Sequence, residues 1–229
     1  MKSMIILVLA GLLCSIAVSA ESPKTLAVLD FSNNSLIKKD EFSTLSKGIA
    51  EMFITELSQI ELLTVVERQQ LNSIVEEMSL SQSGLIDQGS QVKVGKIVGA
   101  HYLVLGSFMV AFGDKIRLDA RIVHVETGRT LNAGKAEGKT KKILELISKL
   151  TKNVLKNLDI KLTKSEKAKL DETGDLSIEA VKAFSQGVDA EDHGDIAAAK
   201  KYYRQALQLD SKFTAAKIRL KKLSSKRIF

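Results

Sequence analysis

Few patterns in these 229 residues could carry chemistry, and each falls short of a catalytic motif. None of the three histidines, His101, His124 and His193, forms the H-E-x-x-H type of pattern that binds zinc in hydrolases. The Gly95-Lys96 pair lacks the Ser or Thr that follows the lysine of a P-loop, and no strand precedes it. The sequence therefore predicts no metal site, no cofactor site and no catalytic residue.

Two carboxylates, Asp30 and Glu67, stand at the ends of two predicted strands and are the remaining candidates for acid–base chemistry. If the two strands are neighbours, the carboxylates could meet at one edge of the sheet. The plainer interpretation is that Asp30 opens a turn and that Glu67 begins a helix, where the helix dipole favours an anion. We expect the plainer arrangement, and with it a protein that is not an enzyme and has no small-molecule substrate.

The elements that would position these residues alternate between strand and helix patterns. Strand patterns cover residues 25–31, 62–66, 101–112, 115–125 and 130–137, and helix patterns cover 42–57, 67–78, 88–98 and 143–158. In the second helix, Leu71, Ile74, Val75 and Met78 are spaced to form one buried stripe. The order β-α-β-α-α-β-β-β-α predicts an α/β (α+β) domain over residues 21–160, with a mixed sheet covered by helices.

The last fifty residues have a different period, after a polar stretch at 161–176 that we interpret as a linker. Gly187, Ala199, Tyr203 and Ala206 occupy positions 8, 20, 24 and 27 of a 34-residue unit, which is typical of a tetratricopeptide-like helical repeat. Residues 177–229 are therefore predicted to form a small all-α helical-repeat hairpin. An unrelated helical hairpin is the alternative. One repeat alone buries little surface, so it must pack on the first domain, another copy or a partner.

The first twenty residues have the pattern of a secretory signal peptide. Lys2 precedes an apolar run, and the run ends before the small residues Ala17 to Ala20. Cys14, the sole cysteine, could be a lipidation site, but bulky leucines precede it, so we favour cleavage after Ala20. We expect an exported protein of the periplasm, and outer-membrane association is the alternative.

Positive charge is concentrated in the C-terminal part of the chain. Residues 139–229 carry 21 Lys+Arg and 12 Asp+Glu, a balance of +9, whereas residues 1–138 carry 13 and 15, a balance of −2. Such a surface could meet nucleic acid, anionic lipid or an acidic protein, or could simply be a solvated helix face. Because the chain is predicted to be exported, we expect no nucleic-acid partner.

Four segments together resemble one known family. They are VVERQQLNSIVEE at 65–77, SGLID at 83–87, VGKIVGAHYLVLGSF at 94–108 and RIVHVETGRTL at 121–131. From about Leu26 to Gly138 the chain resembles the curli-secretion (CsgG/HfaB) family. The resemblance implies a periplasmic α/β domain that assembles side by side into rings and serves secretion or assembly at the outer membrane.

These observations favour a non-enzymatic assembly or secretion accessory protein that acts through protein–protein interaction in the cell envelope and through self-association as a homo-oligomer. The residues expected to build its interaction surfaces are Glu67, Arg68, Leu71, Ile74, Gly187, Ala199, Tyr203 and Ala206. The alternative is a subunit of an outer-membrane curli-type secretion pore. A pore subunit would need extra membrane-spanning strands of about ten residues, for which the tight turns at Gly113-Asp114 and Thr127-Gly128 leave no room.

Overall fold

The structure of the protein is a computed structural model that describes residues 23–78 and 88–225. The predicted signal peptide, Cys14 and the SGLID segment lie outside these residues. Within them, six strands follow one another: β1 Lys24–Val28, β2 Ser32–Asn33, β3 Leu63–Val65, β4 Tyr102–Ala111, β5 Lys115–His124 and β6 Thr130–Lys139. The α-helices of the same ranges are α1 Leu45–Leu57, α2 Arg68–Glu77, α3 Gln88–Ile97, α4 Ile143–Asn157, α5 Lys164–Asp171, α6 Ile178–Asp192, α7 Ile196–Leu209 and α8 Thr214–Ser225.

The strands form one mixed sheet in the order β3-β1-β4-β5-β6, and the short β2 also pairs with β4. Strand β1 is parallel to both neighbours, whereas β4, β5 and β6 are antiparallel. The turn from β4 to β5 is tight because Gly113 and Asp114 both adopt left-handed backbone angles, φ +75° and +58°. The predicted α/β class and mixed sheet are confirmed.

Alternate strand residues face opposite sides of the sheet and enter two separate cores. Leu26, Val104 and Ile122 face α1 and α4 in the larger core, while Ala27, Leu103 and Val123 face α2 and α3 in the smaller one. The smaller core ends near Leu105. Strand β4 is buried on both faces only near its start, and alternate residues from Leu105 onward are half-buried.

Helix α1 is buried almost all round, from Leu45 and Ile49 on one side to Ala50 and Glu51 on the other. A helix that is buried on nearly every side must be enclosed by other elements. It packs on the sheet and on α4, and α6 of the C-terminal helices covers its remaining face. The helices α6 to α8 therefore share the larger core with the α/β domain.

Two local expectations need correction. In α2, Leu71 is fully buried and Val75 and Met78 pack against the smaller core, but Ile74 is half-exposed and lies outside that core. At 100° per residue, Ile74 lies about 60° from Leu71, at the edge of the stripe.

The segment 161–176 has more structure than the expected linker. It contains α5, which begins with a capping box between Thr163 and Glu166, and its Leu170 and Leu176 are buried. The T-x-x-E pattern was readable as a helix start. Its polar composition had concealed the two buried leucines.

Candidate functional site

A group of charged side chains lies where the parallel strands β1 and β3 end. Asp30 follows β1, Arg68 begins α2 just after β3, and Glu51 extends from α1. Helices α6, α7 and α8 bring further polar groups from the other side. We call the whole set the charge network: Asp30, Glu51, Arg68, Glu191, Asp192, Tyr203 and Arg219.

Arg68 is the first centre of the charge network, with its side chain only 2% exposed. Its guanidinium binds both carboxylate oxygens of Asp192, with Nη1 donating to Oδ2 at 2.9 Å and Nη2 donating to Oδ1. Nη1 also donates to Asp30 at 3.3 Å, and Nε donates to Glu51 at 3.4 Å. One buried cation thus joins α1, α2 and the end of β1 to the end of α6.

Arg219 in α8 is the second centre. It binds Glu191 through Nη2 at 2.6 Å and Nε at 3.2 Å, and its Nη1 lies 3.2 Å from Glu51 Oε1. The hydroxyl of Tyr203 donates to Glu191 at 2.8 Å. Glu51 therefore stands between the two arginines and connects the two halves of the network.

The pKa shifts follow from this burial and pairing. Burial raises the pKa of Asp30, and the nearby Asp192 adds to the rise, while Arg68 opposes it. Burial alone would lower the pKa of Arg68, but its bonds to Asp192 and the charge of Asp30 raise it instead. Burial also raises the pKa of Tyr203, and Glu191 adds to it, so the phenol stays protonated and donates its hydrogen bond.

Partly exposed ion pairs surround the charge network and also connect the C-terminal helices to the α/β domain. Lys47 of α1 lies 2.5 Å from Asp189 of α6, and Lys222 of α8 lies 2.8 Å from Glu67. Such exposed pairs contribute little each, about 0–1 kcal/mol.

Close helix packing accompanies the ion pairs. Gly48 in α1 faces Ser185 in α6 so closely that a Cβ at position 48 would clash with the Ser185 hydroxyl. The two helices can approach to this distance only because residue 48 has no side chain. The contact therefore fixes the position of the C-terminal helices on the α/β domain.

The arrangement binds the helices to one another and to the sheet. Ligands of open α/β sheets bind beyond the carboxyl ends of the parallel strands. Here α6 and α8 occupy that edge, and the charged groups there bind one another. Within residues 23–78 and 88–225, no group of three or more His, Cys, Asp or Glu side chains could hold a metal ion. No helix of the described ranges is both long and apolar enough to cross a bilayer.

The structure places the predicted interaction residues in two groups. Arg68 is in the charge network, Glu67 is exposed and binds Lys222, and Leu71 is in the smaller core. Asp30 contacts Arg68 and does not pair with Glu67. The other group lies between α6 and α7, where Ala199, Tyr203 and Ala206 are fully buried and the Tyr203 ring lies against Gly187. The interaction role of these residues stays a prediction.

Sequence reasoning missed Glu51, Glu191, Asp192 and Arg219. A readable signal existed at Glu51, which interrupts the apolar run Ile49 to Phe53, and at Arg219, which stands between Ile218 and Leu220. A charge within the apolar stripe of a helix indicates a buried partner, because an unpaired buried charge is costly. The identity of the partner could not be read, since the paired residues are up to 168 positions apart.

The fold and the charge network define an α/β domain whose strand ends are closed by its own C-terminal helices. Residues 15–117 match the family model described as "Curli production assembly/transport component CsgG". Over these residues the chain is similar to the CsgG family. The comparison with curated proteins found no match.

Several solved structures are similar over about half of the chain. The LpoB C-terminal domain from Salmonella enterica is 22% identical, covering 54% of this chain and 87% of that one, with a TM-score of 0.41. The same domain from Escherichia coli is 23% identical, covering 53% and 86%, with a TM-score of 0.38. Lipoprotein GNA1162 from Neisseria meningitidis is 18% identical, covering 62% and 100%, with a TM-score of 0.38.

Proposed function

We propose that the protein is a non-enzymatic accessory protein of the cell envelope that holds protein partners and associates with itself. The charge network is the observation that carries this proposal. It fills the edge where an α/β enzyme would hold a ligand and leaves the outer surfaces for contacts. The CsgG family match supports the envelope setting, because the family description concerns curli assembly and transport.

The outer surface of α7 and α8, here called the basic face, is the surface that we assign to a partner. Its exposed cations are Lys201 and Arg204 of α7, Lys212 of the turn between the two helices, and Lys217 and Lys221 of α8. Leu209 and Ile218, about half exposed, add apolar area to the same helices. Glu191 and Asp192 of the neighbouring α6 are turned inward to the charge network, so they do not offset this charge. A basic surface with apolar side chains fits an acidic protein surface.

Cross-linking in intact cells tests this assignment. The tagged full-length protein is cross-linked, purified from the envelope fraction, and its partners are identified by mass spectrometry. We expect Lys201→Glu, Arg204→Glu and Lys217→Glu together to abolish capture of an acidic partner.

The matched control makes the same charge change on other exposed surfaces, at Lys93, Lys135 and Lys149. It should retain the partner. Retention by both variants would contradict the assignment, and so would binding of the basic face only to vesicles of anionic lipid.

Self-association is tested separately by light scattering of the purified protein. We expect a homo-oligomer that persists when the basic face is reversed in charge, because the two surfaces are distinct in this proposal. A monomer at all concentrations tested would contradict it.

A secretion-pore subunit is the second candidate, favoured by the words "assembly/transport" in the family description. The property that separates it from the accessory protein is ion conductance. Conductance across liposomes by the purified oligomer would support the pore and overturn the accessory role.

A further inference from the structure

The end of the sheet opposite the charge network contains a cavity of about 440 Å³. It lies where β1 and β4 begin and β5 ends, close to the last turn of α3. We call it the histidine pocket, and its polar lining consists of Lys24, Lys96, His101, Tyr102, His124 and Glu126. Its volume is within the range of small-molecule sites, about 300–1,000 Å³.

Both imidazoles of the histidine pocket present a hydrogen-bond donor. The Thr25 N–H donates to Nδ1 of His101 at 2.9 Å, and the Thr127 N–H donates to Nδ1 of His124 at 3.3 Å. In each neutral ring the proton is therefore on Nε2, which makes that nitrogen a donor. These backbone hydrogen bonds thus favour the same tautomer, with the proton on Nε2, for both histidines of the cavity.

The charge of the lining also favours an anion. Its charged side chains are two lysines, Lys24 and Lys96, and one carboxylate, Glu126, a balance of +1 even with both imidazoles neutral. Lys24 is held in place because its ammonium donates to the Leu158 carbonyl at 2.7 Å. Donors and positive charge together fit an anionic ligand.

The remaining walls are apolar. Val125 and Ala100 are buried side chains of the lining, and the Tyr102 ring meets the His124 ring edge-on, with centroids 5.2 Å apart and planes at 89°. This ring contact fixes the orientation of His124. A ligand that fills the cavity therefore needs an apolar part beside its anionic group.

We propose that the histidine pocket binds a small organic anion with a phosphate or carboxylate group attached to an apolar or aromatic body. A metal ion fits less well, because it would need the Nε2 lone pairs of both rings and would be repelled by the two lysines. The site lies at the other end of the sheet from the charge network and is independent of the proposed partner surface.

The test uses phenyl phosphate, benzoate and uncharged phenol as probes of the full-length protein. Binding is followed by calorimetry and by long-range ¹⁵N NMR of the imidazoles, which also reports the tautomers. We expect saturable binding of one or both anions with a shift of the His101 and His124 Nε2 signals, and no comparable effect of phenol. The ratio of the two anion affinities identifies phosphate or carboxylate as the preferred group.

Two variants and one control connect the binding to the pocket. Lys96→Gln should weaken anion binding roughly tenfold, the effect of losing one charged hydrogen bond. His124→Phe keeps an aromatic ring against Tyr102 but removes the donor, and should also weaken binding. Lys93→Gln, on the same helix outside the cavity, should not. The proposal is overturned if no anion saturates, if phenol binds as well as the anions, or if all three variants bind as the unaltered protein does.

Discussion

At the ends of β1 and β3 the charged side chains are buried and bind one another, whereas at the opposite end of the sheet Lys96 and His101 are exposed to an open cavity. At the first end, carboxylates from other elements bind the arginines, so these charges hold the helices and the sheet together. The lining of the second end carries two lysines and one carboxylate, and within the described residues its cavity is open to solvent. Similar residue types thus hold the structure together at one end and line an open cavity at the other, and solvent access makes the difference.

The largest expected effect on stability is in the charge network, from Arg68→Met. This change removes the buried cation shared by Asp30, Glu51 and Asp192, and breaking a buried pair costs about 3–5 kcal/mol. Urea unfolding should show a loss of that order. Lys222→Met, which breaks only the exposed pair with Glu67, is the matched control and should cost less than about 1 kcal/mol. Equal losses in the two variants would remove the contrast between buried and exposed pairing.

A second test addresses the helix contact beside the charge network. Gly48→Ala places a methyl group against the Ser185 hydroxyl and should destabilise the protein by about 1–3 kcal/mol through overpacking. Adding Ser185→Gly removes the clashing group, so the double variant should recover most of the loss. If Gly48→Ala alone is neutral, the two helices are not in close contact.

The fold was predictable because its signals are local. The alternating residues of β5 and the helical spacing in α1 and α4 each lie within one stretch of sequence, and together they specify a mixed sheet covered by helices. The short β2 was missed, because a two-residue strand has no period to read.

The charge network was only partly predictable. Arg68 could be singled out within its motif, but its partner Asp192 is 124 residues away, and no spacing rule connects them. The histidine pocket was missed for a similar reason. His101 directly precedes β4 and His124 ends β5, and the register of these strands, Tyr102 opposite His124, becomes known only when the hairpin is built.

A third prediction compares two carboxylates of one helix. Glu51 in α1 has two arginine partners, whereas burial raises the pKa of Glu56 to about 7, opposed only by Lys152. Because this pKa is higher in the folded than in the unfolded state, Glu56 binds its proton more tightly when folded. Stability should therefore increase as pH falls from above 7 toward 4.5.

The variant Glu56→Gln should remove this dependence. At pH 8 it should be more stable than the unaltered protein by about 1 kcal/mol, a value discounted for the partial exposure of the side chain. At pH 4.5 the two should be alike. Glu145→Gln, at an exposed position of α4, should show no such difference. If the difference in unfolding free energy between Glu56→Gln and the unaltered protein is the same at every pH, the raised pKa of Glu56 is contradicted.

The smallest effect on stability is expected in the histidine pocket, from Lys96→Gln. Lys96 is exposed and its charge faces the cavity, so removing the charge breaks no buried pair. Surface changes of this kind usually stay within about 0.5 kcal/mol, and urea unfolding should show no larger shift. The same variant is expected to weaken binding of the anionic probes, so its effect should be on binding and not on folding. A stability loss approaching that of Arg68→Met would mean that Lys96 holds the sheet end together, and the two ends would then be built alike.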